Sequence, residues 1–377
     1  MSTGVQYGRG RGVVESISGI RILNSNALTH SYIPSKLPHR EEEYDELIKE
    51  YKLISYGFPP SHMMIFGPPG SGKTVTIRKA LKDSGIPHVY LTSEPTAYGT
   101  LVALGEIVLG RRLWGLSFAP LWNEIEIKLP RNCVLVLDEA ERFMISDKKS
   151  DLLLYYLSRR EGLGLILVSN KTDLADYIKD ARVKSSLKPT IKFFKPYNAD
   201  ELKEIIRLRA QEALGNEFEK FFKPGIIGLI AALASKRGGD ARYSIDLLRE
   251  ALKKAIISGS ETINEEHINE AKIAIEETEF ETSIKSLSKT HKLMLLCALT
   301  LKRVGAAYKE YNMIAENFGL LPLSERRLRD ILGDLELMGF IGIEKKGREW
   351  LINPSKWFDT TKAKEILQRE LDNSSHS

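Results

Sequence analysis

The chain has 377 residues, of which 42% are apolar, with 55 basic and 50 acidic side chains for a formal charge of +5. This length exceeds what one hydrophobic core supports, so two or three domains are expected, and no apolar run approaches the span of a bilayer. The only cysteines, Cys133 and Cys297, lie far apart in apolar runs, which argues against a disulfide framework or a thiolate metal site and fits a reducing, cytoplasmic setting.

The first residues, MSTGVQYGRGRGVV, lack the apolar core of a signal peptide. The positive charge is uneven. Residues 1–40 hold five basic and one acidic side chain, and residues 285–353 hold twelve and eight. Anion binding outside a dedicated cleft is therefore expected near the ends of the chain. A proline-marked lead-in (Pro38, His39, Arg40) precedes a charged helix from about Glu41 to Leu53. Such a lead-in either lies beside a bound base or is simply a surface helix and its approach.

HMMIFG (His62–Gly67) reads as a short buried strand, and TVTIRKALKD (Thr74–Asp83) as a helix with Ile77, Ala80 and Leu81 on one face. Between them runs GPPGSGKT: Gly67, Pro68, Pro69, Gly70, Ser71, Gly72, Lys73, Thr74. Its glycines let backbone N–H groups close on an anion at a helix N-terminus. Lys73 is placed to reach the β- and γ-phosphates of ATP or ADP, and the Thr74 hydroxyl to ligate Mg²⁺. A Gly/Pro-rich surface turn would account for the glycines and prolines but not for a Lys-Thr pair between strand and helix.

Four further strand-like runs follow: VYLTSE (Val89–Glu94), CVLVLDE (Cys133–Glu139), LGLILVSN (Leu163–Asn170) and TIKFFKPY (Thr190–Tyr197). Their alternation with helical segments predicts a parallel sheet between helices, an α/β domain over residues 1–198. A long helical insert, about residues 100–129, separates the second and third strands. Past Tyr197 the strands stop, and three or four amphipathic helices to about Glu277 predict an all-α domain, 199–283, with EETEFETS (Glu276–Ser283) as a junction. Helices near 287–302, 308–318 and 324–338, then FIGIEKKGREWLIN as two strands about a KKGR turn, predict a winged helix-turn-helix within 284–377.

Asp138 and Glu139 end an apolar strand where parallel sheets place ligand-binding groups. Asp138 is the candidate for holding Mg²⁺ through water, and Glu139 for polarising an attacking water. Asn170 closes the next strand and would sense a γ-phosphate or water if that strand lies between the cradle and Asp138. Arg242, in GGDAR, falls in a helix's first turn against the dipole, which suggests an anion for it to meet. Arg182 is either an arginine finger for a neighbouring subunit or one half of an internal salt bridge. Arg326, Arg327 and Arg329 open the recognition helix, ahead of Asp330, Asp334 and Glu336, and Arg326 could instead pair with Asp330. Lys345, Lys346 and Arg348 form a basic ribbon tip suited to phosphates.

In this order, GPPGSGKT, VLVLDEAE, VSN, DARVKSSL and GGDAR followed by a winged helix resemble the AAA+ initiators of the archaeal origin recognition and cell-division-cycle-six family, from about Tyr32 to Asn353. KLPHREEE is similar to that family's lead-in, which implies that His39 and Arg40 border the adenine. The resemblance implies an AAA+ ATPase domain, a helical lid and a C-terminal winged helix. It further implies an ATP-dependent protein that binds double-stranded origin DNA and helps load the replicative minichromosome maintenance helicase, with paralogous initiator subunits as further partners and the nucleoid as its place of work. The helical insert touches DNA in that family, which draws in Arg111 and Arg112. LTSEPTAYGT departs from the family's Asn-Cys-like start after the second strand. Two other classes remain open here: a branch-migration motor, which would carry a β-hairpin insert, and a signalling ATPase whose winged helix binds no DNA.

Overall fold

In a computed structural model of the chain, residues 19–111, 115–355 and 359–373 are described. They divide into two compact units at residues 270 and 271. The first unit holds α1 (Glu41–Ser55), β1 (Met63–Phe66), α2 (Lys73–Ser84), β2 (His88–Thr92), α3 (Ala97–Leu109), α4 (Phe118–Lys128), β3 (Cys133–Asp138), α5 (Glu141–Met144), α6 (Ser150–Arg159), β4 (Leu163–Ser169), α7 (Ala181–Leu187) and β5 (Thr190–Phe193). It continues with α8 (Ala199–Leu214), α9 (Ile226–Lys236) and α10 (Ala241–Ile257), and α11 (Glu265–Ser286) runs across the division.

The five strands are parallel in the order β2-β3-β4-β1-β5. Strands β1, β3 and β4 are nearly continuous apolar runs because helices cover both faces. Alternation sends Leu135 and Leu137 to one core, with Leu101, Trp122 and Leu154, and Val134 and Val136 to the other, with Leu47, Tyr51 and Ile77. β4 is inserted between β1 and β3, which brings the ends of all three together. The insert between β2 and β3 is helical, as α3 and α4, and its linking residues 112–114, including Arg112, lie outside the described residues.

α8 starts on a full capping box, Asn198 with Glu201. The stretch Glu276–Ser283, expected as a junction, lies inside the continuous helix α11. Its Thr and Ser hydroxyls bond back to carbonyls four residues earlier, so the polar composition that suggests a linker is accommodated within a helix.

The second unit contains α12 (Lys289–Leu301), α13 (Val304–Ile314), α14 (Glu325–Leu337), the antiparallel ribbon β6 (Ile341–Lys346) and β7 (Glu349–Pro354), and α15 (Thr360–Asn373). Leu328, Ile331, Leu332 and Leu335 of α14 face a core with Leu295, Tyr311 and Leu367. Ser324 caps α14 by accepting from the Arg327 N–H, so the three arginines sit in the helix's first turns. Among the described residues no helix is long and apolar enough to cross a membrane.

Candidate functional site

At the carboxyl ends of β1 and β3, a cleft of about 360 Å³ is lined on one side by Gly70 to Val75 of the cradle and on the other by Ala241, Arg242 and Ile245 of α10. The cradle touches α10's start directly, since the Ala241 N–H donates to the Gly70 carbonyl at 3.3 Å. Gly70 has φ +71°, and a Cβ there would fall 1.8 Å from Asp240 Oδ1. Only glycine supplies both the backbone conformation and the room. Asp240 caps α10 by accepting from the Arg242 N–H at 2.8 Å, which leaves the Arg242 side chain on the cleft. Among the described residues Arg242 has no ion-pair partner.

Lys73 is 7% exposed. Its Nζ donates to the carbonyls of Gly67 (2.6 Å) and Pro68 (2.9 Å) and to Asn170 Oδ1 (3.0 Å). Burial pushes its pKa down to about 8; Asp138 opposes the shift and the Arg242 charge adds to it. The ammonium has no direct carboxylate partner, and Asp138, Glu141 and Asp240 act on it only through their charge. Thr74 Oγ1 donates to Asp138 Oδ2 at 2.9 Å, so the two groups expected to meet a metal ion stand side by side. Glu139, also on the cleft, has φ +55°, a conformation that L residues rarely hold without constraint. Its carboxylate is 3.5 Å from Arg142. Asn170 is further held through its backbone and side-chain N–H groups, both 3.4 Å from Glu141 Oε1.

Hydroxyl and carboxylate oxygens at one point suit a hard cation such as Mg²⁺, which keeps waters and phosphate oxygens in its shell and needs no cage of protein ligands. No cluster of three or more His, Cys, Asp or Glu that could hold a metal by itself occurs among the described residues.

His39 and Arg40 do not line the cleft. Arg40, 5% exposed, donates to the carbonyls of Ser71 (2.9 Å), His39 (2.6 Å) and Lys195 (2.5 Å) and stacks on Tyr197 at 4.0 Å, so it braces the cradle from behind. His39 bonds Glu204 of α8. The apolar end of the cleft comes instead from Tyr32, Ile33, Pro34 and Leu37 with Ile205 and Ile245. Arg209 of α8 fixes this segment through the carbonyls of Ala27 and Tyr32. These residues carry no motif, and only the proline-rich lead-in hinted at them. Tyr90, bonded to Asp138, was equally silent in the sequence.

Arg182 lies away from the cleft, paired with Asp180 at 2.7 Å and stacked on Tyr155. Arg111 pairs with Glu124 at 2.6 Å. In the second unit Arg326, Arg327 and Arg329 are exposed, as are Lys345, Lys346 and Arg348 at the ribbon tip, whose turn uses Gly347 at φ +66°. Arg326 makes no ion pair with Asp330 among the described residues. Asp334 meets His291 at 3.3 Å, and Glu336 accepts the Ile343 N–H at 2.7 Å.

A parallel β2-β3-β4-β1-β5 sheet with a phosphate cradle, a helical lid over it and a winged helix beyond defines an AAA+ ATPase-type chain joined to a winged-helix domain. Family models agree: an AAA domain matches residues 58–178, the Cdc6 AAA+ ATPase-type lid domain 203–273, and the CDC6 C-terminal winged helix domain 282–351. The chain belongs to the family of ORC1-type DNA replication proteins. It is 32% identical over 363 residues to such a protein of Methanothermobacter thermautotrophicus, covering 92% of this chain and 97% of the relative. It is also 32% identical over 360 residues to one of Pyrococcus abyssi, covering 86% and 84%. Among solved structures, the Aeropyrum pernix ORC1 protein in complex with DNA superposes with a TM-score of 0.81 at 27% identity, over 92% of this chain and 97% of that one.

Proposed function

We propose that this chain is a nucleotide-switched replication initiator. It binds ATP and Mg²⁺ in the cleft, hydrolyses ATP slowly, binds origin duplex DNA through its winged helix, and helps recruit or load the replicative minichromosome maintenance helicase, alone or with paralogous initiator subunits. Residues 1–198 form its nucleotide-binding domain, 199–283 its lid and 284–377 its DNA-binding domain. The observation that carries this reading is the buried Lys73 ammonium, held only by neutral oxygens beside the unpaired Arg242, with Thr74 and Asp138 in contact next to it. A triphosphate's oxygens would give Lys73 and Arg242 the charged partners that neither contacts directly.

Lys73 and the cradle amides, Gly67 to Thr74, hold the β- and γ-phosphates. Mg²⁺, when bound by Thr74 and Asp138, would neutralise phosphate charge. Glu139 accepts a proton from the attacking water. Asn170, tied to both Lys73 and Glu141, orients that water, and Arg242 carries the phosphate state to the lid. Arg182 acts on a neighbouring subunit after leaving Asp180. Tyr32, Ile33 and Pro34 hold the base, with His39 and Arg40 setting their approach. On the winged helix, Arg326, Arg327 and Arg329 meet the major groove and Lys345, Lys346 and Arg348 the backbone, with Arg111 and Arg112 of the insert as a second contact. Asp334 and Glu336, the acids that suggest a winged helix without DNA, are engaged by His291 and by the Ile343 N–H. The DNA-bound state of the Aeropyrum pernix relative supports the assignment.

Mapping the chain on genomic DNA in ATP and in ADP tests the reading. Discrete sites whose occupancy changes with nucleotide and is lost in Lys73→Ala are expected; uniform, nucleotide-blind binding would refute it.

A further inference from the structure

β2 lies beside β3 in parallel register, with Tyr90 opposite Val136 and Thr92 opposite Asp138. Side chains two residues apart share a face, so Tyr90 and Asp138 both point to the side of the sheet that α2 covers, where Tyr90 packs against the core formed by Val136, Ile77 and Leu81. There the Tyr90 hydroxyl donates to Asp138 Oδ2 at 2.5 Å, onto the oxygen that also accepts from Thr74 Oγ1 at 2.9 Å. The other carboxylate oxygen, Oδ1, accepts the Glu139 N–H at 3.0 Å. From α2, the Arg78 guanidinium lies over the Tyr90 ring, 4.4 Å from its centre. Three donors from β2, α2 and the strand's own end therefore clamp one carboxylate.

The carboxylate torsion of an aspartate is soft and roughly two-fold, and a backbone N–H on one oxygen and a mobile threonine hydroxyl on the other fix it weakly. A phenol on a stacked, half-buried ring is a stiffer anchor. Resting on the reading of Thr74 and Asp138 as the Mg²⁺ pair, we propose that Tyr90 is a positioning residue for the divalent cation. It holds Asp138 so that the Thr74 proton stays on Oδ2 and the Thr74 lone pairs remain turned to the metal. Arg78, stacked over the ring, holds it in place. Within the cradle Tyr90 meets only the Thr74 hydroxyl, itself one of the metal pair, so its effect is read at the metal.

The test uses the full chain and ATP titrated with and without Mg²⁺ in wild type, Tyr90→Phe, Asp138→Asn and the double variant. Phenylalanine keeps the ring under Arg78, and thermal melting without nucleotide checks that the fold is intact. Tyr90→Phe should keep the ATP affinity measured in EDTA within about twofold, since no phosphate contact is lost. It should raise the half-saturating Mg²⁺ concentration about tenfold, the usual cost of losing an outer-shell partner. In the Asp138→Asn background the same change should add less than about twofold, because residues acting through one group are not additive. An unshifted Mg²⁺ midpoint in Tyr90→Phe overturns the proposal. So does an equal loss in EDTA or in the Asp138→Asn background, either of which marks a purely structural tyrosine. If wild type bound ATP with no Mg²⁺ dependence, the metal-pair reading itself would fall and the proposal with it.

Discussion

In the cleft, the Lys73 ammonium ends on two carbonyls and the Asn170 amide, and the Asp138 carboxylate takes three donors. At the wing, Lys346 and Arg348 stand exposed with no ion-pair partner among the described residues, and Lys345 rests only against the Trp350 ring. The first region is prepared for a ligand of one shape, with its polar groups fixed before binding. The second offers loose charge to a partner whose phosphates are regularly spaced and whose sequence varies. Fixed groups make large, residue-specific effects when removed; loose charges make graded, salt-dependent ones.

The largest effect should come from Glu139→Gln. The amide keeps the size and the cleft position but cannot accept the water's proton, so turnover should fall by about a hundredfold or more while ATP stays bound. Single-turnover hydrolysis beside equilibrium binding checks this; an unchanged rate would remove Glu139 from the chemistry. Lys73→Ala should lose binding itself.

The wing should respond differently. Replacing Lys345, Lys346 and Arg348 together by Ala should weaken binding to all duplexes alike, by about ten- to a hundredfold at moderate salt, and flatten the salt dependence by up to about one log unit per lost phosphate contact. Affinities measured over a salt series decide it. An unaltered slope would take the ribbon tip out of the interface and leave the helical insert as the contact.

Why one region was readable in the sequence and the other only in outline follows from the same contrast. A glycine whose Cβ would strike Asp240, a lysine at a strand-to-helix turn and an acid at the end of an apolar strand are residue types with few substitutes, so GPPGSGKT and VLVLDE announce their geometry. The insertion of β4 between β1 and β3, on which Asn170's place depended, follows only from the folded sheet. The apolar end of the cleft is built of Ile33, Pro34, Ile205 and Ile245, ordinary apolar residues brought together by the lid, and no local pattern marks them. The resemblance of KLPHREEE to a family lead-in makes Arg40 read as a ligand contact, but two of its three carbonyl partners, Ser71 and Lys195, come from segments distant in the chain. Likewise Tyr90 reads as one more aromatic in a strand until β2 is registered against β3.

Protonation provides a finer probe of the cleft. With the Lys73 pKa pushed by burial down to about 8, its charge is present below that value and is lost above it. Binding of a triphosphate favours the charged form, so affinity should be flat below about pH 8 and fall about tenfold per unit above it. The unliganded fold has the opposite sign. Between about 8 and the free side-chain value of about 10.4 the unfolded chain holds the extra proton, so this group's contribution to stability rises with pH. Melting curves with and without ATP across this range should converge in Lys73→Met, and parallel curves in wild type would contradict the assignment.

The smallest effect sharpens the comparison most, because it concerns a cleft carboxylate whose restraint is loose in the manner of the wing. Glu139 and Arg142 are 3.5 Å apart, with about half of the Glu139 side chain exposed and 41% of Arg142. An ion pair so exposed is worth at most about 1 kcal/mol and is screened by salt. It nonetheless competes for the carboxylate proposed to accept the attacking water's proton. Arg142→Ala should therefore raise basal hydrolysis by about two- to fivefold at low ionic strength, with ATP affinity unchanged because no phosphate contact is lost. In high salt wild type and variant should draw together, since screening releases Glu139 in both. A variant faster by the same factor at every salt concentration would place the restraint in the backbone instead, at the φ +55° turn of Glu139, which no salt can relax.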